Sequence, residues 1–252
     1  MKAGLIKLRT IDNIISKSNC VLNTFINIPL NFETLDRYYV RSSILQALKE
    51  NIPTFKGTLL DVGCGQMPYR SLILESKQVE KYIGLDLEVS KIHDTSKADI
   101  WWDGKIMPLA DASVDCVIAT EVFEHCPDLS IVLNEINRVL KPGGMLFFTV
   151  PFLWPLHEVP YDEFRYTPFA LERLLKNAQF KAIKLTALGG WDASLAQMLG
   201  LWVRRRKMSD FKRKVVSRIA KPLIKYLINK DVKPVKFQES TMITGIQGVA
   251  VK

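Results

Sequence analysis

Short apolar runs alternate along the chain with stretches whose apolar residues recur every three or four positions. Runs at 58–62, 82–87, 114–119, 145–150, 182–187 and 242–251 read as strands. Before the first of them, Leu35, Tyr38, Tyr39, Ile44, Leu45 and Leu48 recur at helical spacing over 33–51. Leu129, Leu133, Ile136, Val139 and Leu140 mark one face of a second helix, stopped by Lys141-Pro142-Gly143-Gly144. Thr167 and Pro168 supply an N-cap and a first-turn proline for a third, running to about residue 177. Residues 1–33 are weakly patterned, and no repeat or low-complexity tract interrupts the chain. Such alternation predicts βαβ units in an α/β fold, a mostly parallel sheet with helices on both faces. Residues 1–56 then form a helical region packing on a core of 57–252, with a helical insert at about 190–240.

The insert has its own pattern. Phe211, Val215, Ile219, Leu223 and Leu227 recur every four residues, joined by Val216, Ala220 and Ile224, with lysines and arginines between them. This predicts a basic amphipathic helix, kinked or restarted at Pro222. Upstream, Leu195, Met198, Leu199, Leu201 and Trp202 form a second apolar patch, followed by Arg204 to Lys207. Between Leu201 and Lys236 stand thirteen basic residues and two acids, more than the whole net charge of +9. Three readings follow: a lid packing its apolar face on the domain, docking on an anionic membrane surface through 204–230, and nucleic-acid binding. The continuous apolar stripe counts against nucleic acid, which favours aromatics interleaved with the basic residues.

Composition adds bounds. With 252 residues, 48% apolar and 24% charged, the chain can bury one large core. Its four cysteines (Cys20, Cys64, Cys116, Cys126) sit in no CxxC pair and no His-flanked spacing, so no metal site is read from them. Free thiols suggest a reducing, cytoplasmic setting, with attachment at the inner membrane face if the insert docks there. The N-terminus scatters Lys2, Lys7, Arg9 and Lys17 among short apolar pieces, unlike a signal peptide. No uncharged run approaches the roughly 20 residues that span a bilayer.

The run at 59–62 ends in Asp61 and turns on Gly63-Cys64-Gly65. In open α/β sheets ligands bind beyond the carboxyl ends of strands, and glycine lets a ligand approach the backbone. Pro68 is expected in the first turn of the helix that follows. A dinucleotide fingerprint would place a third glycine at Pro68, and an acid at Asp61 is awkward beside a diphosphate. Asp86 ends the second run, 21 residues after Gly65, where an acid accepts from ribose hydroxyls. A ribose, a positive centre and no pyrophosphate describe S-adenosylmethionine. The plainer alternative is an ordinary βα turn with Asp86 in solvent.

On LLDVGCG (59–65), YIGLD (82–86), DGKIMPLADASVDCVIATEVFEH (103–125) and RVLKPGGMLFFTVP (138–151), the segment 57–151 resembles the class I S-adenosylmethionine-dependent methyltransferases of the ubiquinone/menaquinone type. The resemblance implies a Rossmann-like sheet of seven strands, the last antiparallel and inserted beside the sixth. It implies that Asp61, Gly63 and Gly65 contact the methionine part of the cofactor, that Asp86 binds the ribose and that Leu87 lies beside the adenine. Asp103 would accept from the adenine amino group and the Gly104 N–H would serve the ring. Thr120 and Glu121 would border the sulfonium and the substrate entrance. The chain departs from many such enzymes at Met67, where they carry another glycine.

Methyl transfer from a sulfonium is an in-line displacement with a neutral leaving group, so the enzyme aligns the reactants, excludes water and deprotonates a hydroxyl acceptor. Candidate groups lie in PFLWPLHEVPYDEFRYTP (151–168), a titratable loop stiffened by proline. His157 is the candidate base, because its ordinary pKa lies near neutrality; Glu121 and Asp162 complete the catalytic candidates. Structurally, His157 and Arg165 would instead hold the loop through Glu158 and Asp162. Glu124-His125 is expected to orient a loop or close a helix start, His93 to lie in a surface loop, and Cys64 to fill space. Trp101 and Trp102 are expected to pack at a strand end. The pattern H-x-x-P-x-D followed by R-Y-T-P resembles methyltransferases of bacterial surface-polysaccharide and glycan clusters, which implies O-methylation of a sugar on a small or lipid-linked precursor. The alternatives are a methyltransferase of a small aromatic or quinone-like metabolite, and a non-catalytic module of this fold binding membrane or RNA. The oligomeric state is not legible.

Overall fold

The computed structural model describes residues 24–88, 90 and 96–252. The expectations for the basic N-terminus, Cys20 and His93 fall outside them. Helix α1 (Tyr38–Asn51) leads through a 3₁₀ turn (Ile52–Thr54) into β1 (Gly57–Val62). There follow α2 (Arg70–Leu74), β2 (Val79–Leu87), β3 (Ile100–Trp102), β4 (Val114–Thr120) and a 3₁₀ turn at Phe123–His125. The rest is α3 (Leu129–Val139), β5 (Leu140–Pro151), α4 (Pro168–Asn177), β6 (Lys181–Ala187), α5 (Trp191–Arg205), α6 (Asp210–Lys230) and β7 (Gly245–Val251).

The seven strands form one sheet in the order β3-β2-β1-β4-β5-β7-β6. The first five in that order are mutually parallel, while β7 runs antiparallel to both β5 and β6. The expected Rossmann-like sheet is therefore present, with its last strand between the fifth and the sixth. Its core divides by the two-residue period of the strands. Leu60, Val117 and Phe148 face α3 and α4, through Leu133, Ile136, Leu171 and Leu175. Their neighbours Leu59, Cys116, Ile118 and Phe147 face Ile44, Leu48 and Phe55 on the other side. Burial on both faces explains why these strands read as continuous apolar runs. Asp128 and Thr167 cap α3 and α4 by accepting from the amides of Ser130 and Ala170.

Four expectations shift. Pro68 is not in the first helical turn: left-handed backbone at Gly63, Gly65 and Met67 keeps the chain turning, and helix starts only at Arg70. The Lys141–Gly144 stop is absorbed into β5, whose register against β4 slips between Val114 and Cys116. Residues 242–244 precede β7 rather than belonging to it, and β3 was too short to stand out as a run. Trp101 and Trp102 make up two of its three residues, with Trp102 buried.

The insert is a helical hairpin. Helix α6 runs through Pro222 without ending, capped at its start by Ser209. Ala220, Ile224 and Leu227 of α6 pack with Leu35 and with Ala196 and Val203 of α5. Gly200 permits the close approach of the segment before α1, since a Cβ there would lie 2.1 Å from the Leu35 carbonyl oxygen. Gln197 and Arg205 then hold Asp36 by its carbonyl and carboxylate.

Candidate active site

The carboxyl ends of β1 and β2 form the first half of the site. Gly63 (φ +66°) and Gly65 (φ +49°) lie in the left-handed region, and a Cβ at Gly63 would come within 2.6 Å of Val122. Around Gly65 the space is open, which leaves the backbone approachable. Its N–H donates to Asp86 Oδ2 at 3.1 Å, while Asp86 Oδ1 accepts from the Leu87 amide at 2.8 Å and the Ser90 hydroxyl at 3.2 Å. Asp61 is buried at the end of β1, where its carboxylate accepts from the Tyr82 hydroxyl. Burial pushes the Asp61 carboxyl up to about 7; the Tyr82 bond pulls against this, and the nearby charge of Asp86 adds to it. Met67 takes the left-handed conformation (φ +50°) that glycine adopts more easily, and its sulfur packs over Gly84. Cys64 is buried beneath the turn, as expected of a space-filler, with its thiol pushed up to about 12 by burial.

Register places Asp103 beside that pair. Leu87 pairs with Trp102, so Asp103 and Gly104 emerge next to the end of β2. Gly104 (φ +83°) backs against Leu87, which is partly exposed. The Asp103 carboxylate is open to solvent and accepts from the amides of Lys105 and Ile106, contacts that lower its pKa.

The second half lies beyond β4 and β5. Thr120 ends β4, and Glu121 follows with φ +56°, a left-handed conformation unusual for a glutamate. Burial raises the Glu121 pKa, opposed by the Thr149 hydroxyl and by the charges of Arg41 and Arg165. The loop after β5 returns onto the turn after β4, where the Glu124 carbonyl accepts from the amides of Glu163 and Phe164, both at 3.0 Å. Asp162 is the hub of the loop. Its two oxygens accept from Arg165 Nη1 at 2.6 Å and Nη2 at 2.8 Å, and Oδ2 also accepts from the His157 amide at 3.1 Å. The Arg165 guanidinium, ahead of these other contacts, holds the Asp162 carboxyl well below the usual carboxylate range. His157 Nδ1 lies 3.1 Å from Asp162 Oδ2, at an angle short of a straight hydrogen bond. Burial lowers the His157 pKa, with Asp162 acting in the opposite direction.

Thus the expected residues gather in two groups along one edge of the sheet. Asp61, Gly63, Gly65, Asp86, Leu87, Asp103 and Gly104 form one; Thr120, Glu121, His157 and Asp162 form the other. Glu124 and His125 belong to the second group, where the sequence reading expects them to orient a loop or close a helix start. Glu124 does so through its carbonyl, yet its carboxylate is fully buried with no hydrogen-bond partner among the described residues. Tyr82 and Arg41 also reach the site, and no local spacing marked either.

Residues 60–148 match a family model described as "Methyltransferase domain". The chain is 25% identical over 211 residues to a fatty-acid O-methyltransferase of Mycolicibacterium smegmatis, covering 81% of this chain and 69% of that protein. It is 35% identical over 92 residues to malonyl-[acyl-carrier protein] O-methyltransferase 1 of Coxiella burnetii, a match covering 36% of this chain and only 32% of that relative. Among solved structures, an S-adenosylmethionine-dependent methyltransferase from Archaeoglobus fulgidus superposes with TM-score 0.55 at 19% identity, covering 88% of this chain and 98% of that one. A possible histamine N-methyltransferase from Thermotoga maritima gives 0.53 at 18%, covering 92% and 98%. The chain has the Rossmann-like methyltransferase fold, and its residues 60–148 match a methyltransferase domain.

Proposed function

We propose that this protein is an S-adenosylmethionine-dependent O-methyltransferase whose acceptor oxygen is carried on a lipid- or acyl-linked molecule. One observation carries the cofactor reading: buried Asp61, the open left-handed turn at Gly63 and Gly65, and Asp86 meet at the ends of β1 and β2. Asp61 faces the cationic methionine end, Asp86 the ribose, and Leu87, Asp103 and Gly104 the adenine. The methyltransferase domain and the fold support this assignment. Thr120 and Glu121 border the methyl group. His157, turned by Asp162, removes the proton when the acceptor is a hydroxyl.

Two acceptor chemistries are compatible with this site. A sugar hydroxyl of a glycan precursor follows from the 151–168 loop pattern and needs the base. A carboxylate acceptor accords with relatives named for malonyl-[acyl-carrier protein] and fatty acids. It is already a nucleophile and needs none. Calorimetry with S-adenosylmethionine tests the cofactor; absence of saturable binding would remove the proposal. Labelled methyl transfer to lipid-linked sugars and to fatty acids then separates the acceptors.

The insert supports a lipid-borne acceptor. A lid accounts for buried Ala220, Ile224 and Leu227, but both helices also turn large apolar residues outward. Trp191, Leu195, Met198 and Trp202 of α5 are 43–65% exposed, and Phe211, Val215, Ile219, Leu223 and Tyr226 of α6 are 41–77% exposed. Among the described residues, no helix is long and apolar enough to cross a membrane. Apolar stripes flanked by basic side chains suit the surface of an anionic bilayer, where each basic residue contributes about 1 kcal/mol. Flotation with phosphatidylglycerol vesicles should capture the protein at low salt and release it at high salt. Failure to float at either salt would sink the membrane reading and leave the cofactor reading intact.

A further inference from the structure

Glu124, His125 and His157 converge from the turn after β4 and the loop after β5. We infer that these three side chains form a binding site for one divalent transition-metal ion. One donor atom from each lies within 4.8 Å of the other two. Glu124 Oε1 is 3.7 Å from His125 Nε2 and 4.0 Å from His157 Nε2. The imidazole rings meet edge to face, their centroids 4.8 Å apart.

The hydrogen bonding sets the rings up as ligands. His125 Nδ1 lies 2.9 Å from the Tyr161 carbonyl oxygen. A carbonyl only accepts, so Nδ1 carries a proton, and in the neutral ring Nε2 then presents its lone pair towards Glu124. His157 repeats the arrangement with Nδ1 facing Asp162, whose carboxylate Arg165 holds by both oxygens. A histidine backed by a carboxylate or carbonyl, with its far nitrogen free, is the usual setting of a metal ligand.

A second, independent observation points to the same ligand. The Glu124 side chain is 0% exposed, and neither of its oxygens has a hydrogen-bond partner among the described residues. A buried carboxylate without a partner is costly, and a cation between it and two neutral imidazoles supplies the missing counter-charge. The imidazoles are 20% and 26% exposed, which leaves a coordination position open, and Glu158 Oε2 stands 4.0 Å from His125 Nε2 on the outer side. Metal bonds of about 2.0–2.2 Å require the donors to close by roughly 1 Å, a movement within reach of the loop that carries His157. Two imidazoles and one carboxylate select Mn²⁺, Fe²⁺, Co²⁺, Ni²⁺ or Zn²⁺ over Mg²⁺ and Ca²⁺. Resting on the proposed transfer reaction, the metal-loaded form would take the acceptor oxygen at the open position, the ion lowering its pKa so that the proton passes to solvent, and His157 would act as base only in the metal-free form. Ion binding itself does not depend on that reading.

The chain has three histidines, so His93 provides the control. Tag-free protein is stripped with chelator and titrated with Co²⁺, followed by calorimetry and visible absorption. One Co²⁺ per chain is expected, with ligand-field bands of nitrogen and oxygen donors and no thiolate charge-transfer band. Replacement His125→Ala or His157→Ala should weaken binding about 100-fold or more, and Asp162→Asn about 10- to 100-fold. His93→Ala should leave binding unchanged. S-adenosylmethionine calorimetry on each variant distinguishes lost folding from lost metal. Absence of saturable Co²⁺ binding, undiminished binding in either His125→Ala or His157→Ala, or a thiolate band overturns the inference. If Co²⁺ binds and the cofactor does not, the proposed function alone fails; the reverse result removes the metal alone.

Discussion

Asp86 and Glu124 are both buried carboxylates at the carboxyl edge of one sheet, and their surroundings are opposite. Asp86 accepts from two backbone amides and a hydroxyl, all within four residues of itself or of the turn it faces across β1. The Glu124 carboxylate accepts from nothing among the described residues, and burial with the neighbouring Glu121 charge raises its pKa well above the usual range. The β1–β2 end is therefore a finished cradle whose polar groups are satisfied before any ligand arrives. At the β4–β5 end, electrostatic demand is left unmet, with Glu124, Arg165 Nε and His157 Nδ1 all lacking a well-formed partner among the described residues. Preorganisation suits the half proposed to grip the cofactor, and unmet demand suits the half proposed to receive a second reactant.

That contrast can be broken by substitution. The largest effect is expected on the acceptor side, where His157→Ala should lower turnover by about 10²- to 10⁴-fold with a hydroxyl acceptor. The dissociation constant for S-adenosylmethionine should stay within a factor of two or so, since the cradle is self-supporting. Comparable losses in both quantities would show that the two halves are one unit. Next comes Asp86→Asn, which keeps the shape but weakens the charge-assisted bonds. Cofactor affinity should fall by roughly 10- to 100-fold, measured calorimetrically, with the acceptor KM little changed.

A pH dependence of intermediate size follows from Asp61. Its folded-state pKa of about 7 exceeds the ordinary 3.8, so the cofactor-free fold favours the protonated form. The stability this group contributes is complete below about 4 and is lost as pH rises through about 7. A cationic ligand needs the ionised form. Cofactor affinity should therefore level off above pH 7 and fall by up to about tenfold per pH unit below it. A flat affinity between pH 5 and pH 8, roughly the span over which Asp61 would titrate, would exclude Asp61 as the cation's partner. The smallest effect is expected at Asp103: its carboxylate is exposed and already occupied by two amides, so Asp103→Asn should cost the cofactor less than about tenfold in affinity.

The cradle was legible because its parts are sequence neighbours of strand ends. Asp61 precedes its glycines directly, and Asp86 closes the next run. The strands themselves stood out because both of their faces are buried. Strand β3 escaped notice because three residues give no periodicity, and Pro68 misled because the left-handed turn outlasts it. The acceptor half was half legible. A loop crowded with His157, Asp162 and Arg165 announces itself, but nothing in Glu124-His125 tells that the carboxylate is sealed in without a partner. That depends on the loop after β5 folding back so that Glu163 and Phe164 bind the Glu124 carbonyl.

Pattern and local spacing were enough to determine the α/β alternation, the cap of α4, the glycine turn with its two acids and the basic helical insert. Each follows from contacts within a few residues or from a strict period of burial. Tertiary structure alone decided that α5 and α6 keep apolar stripes facing outward, and that Glu124, His125 and His157 meet. These depend on which surfaces lie opposite one another after packing, and residues more than thirty positions apart carry no mark of it in their order along the chain.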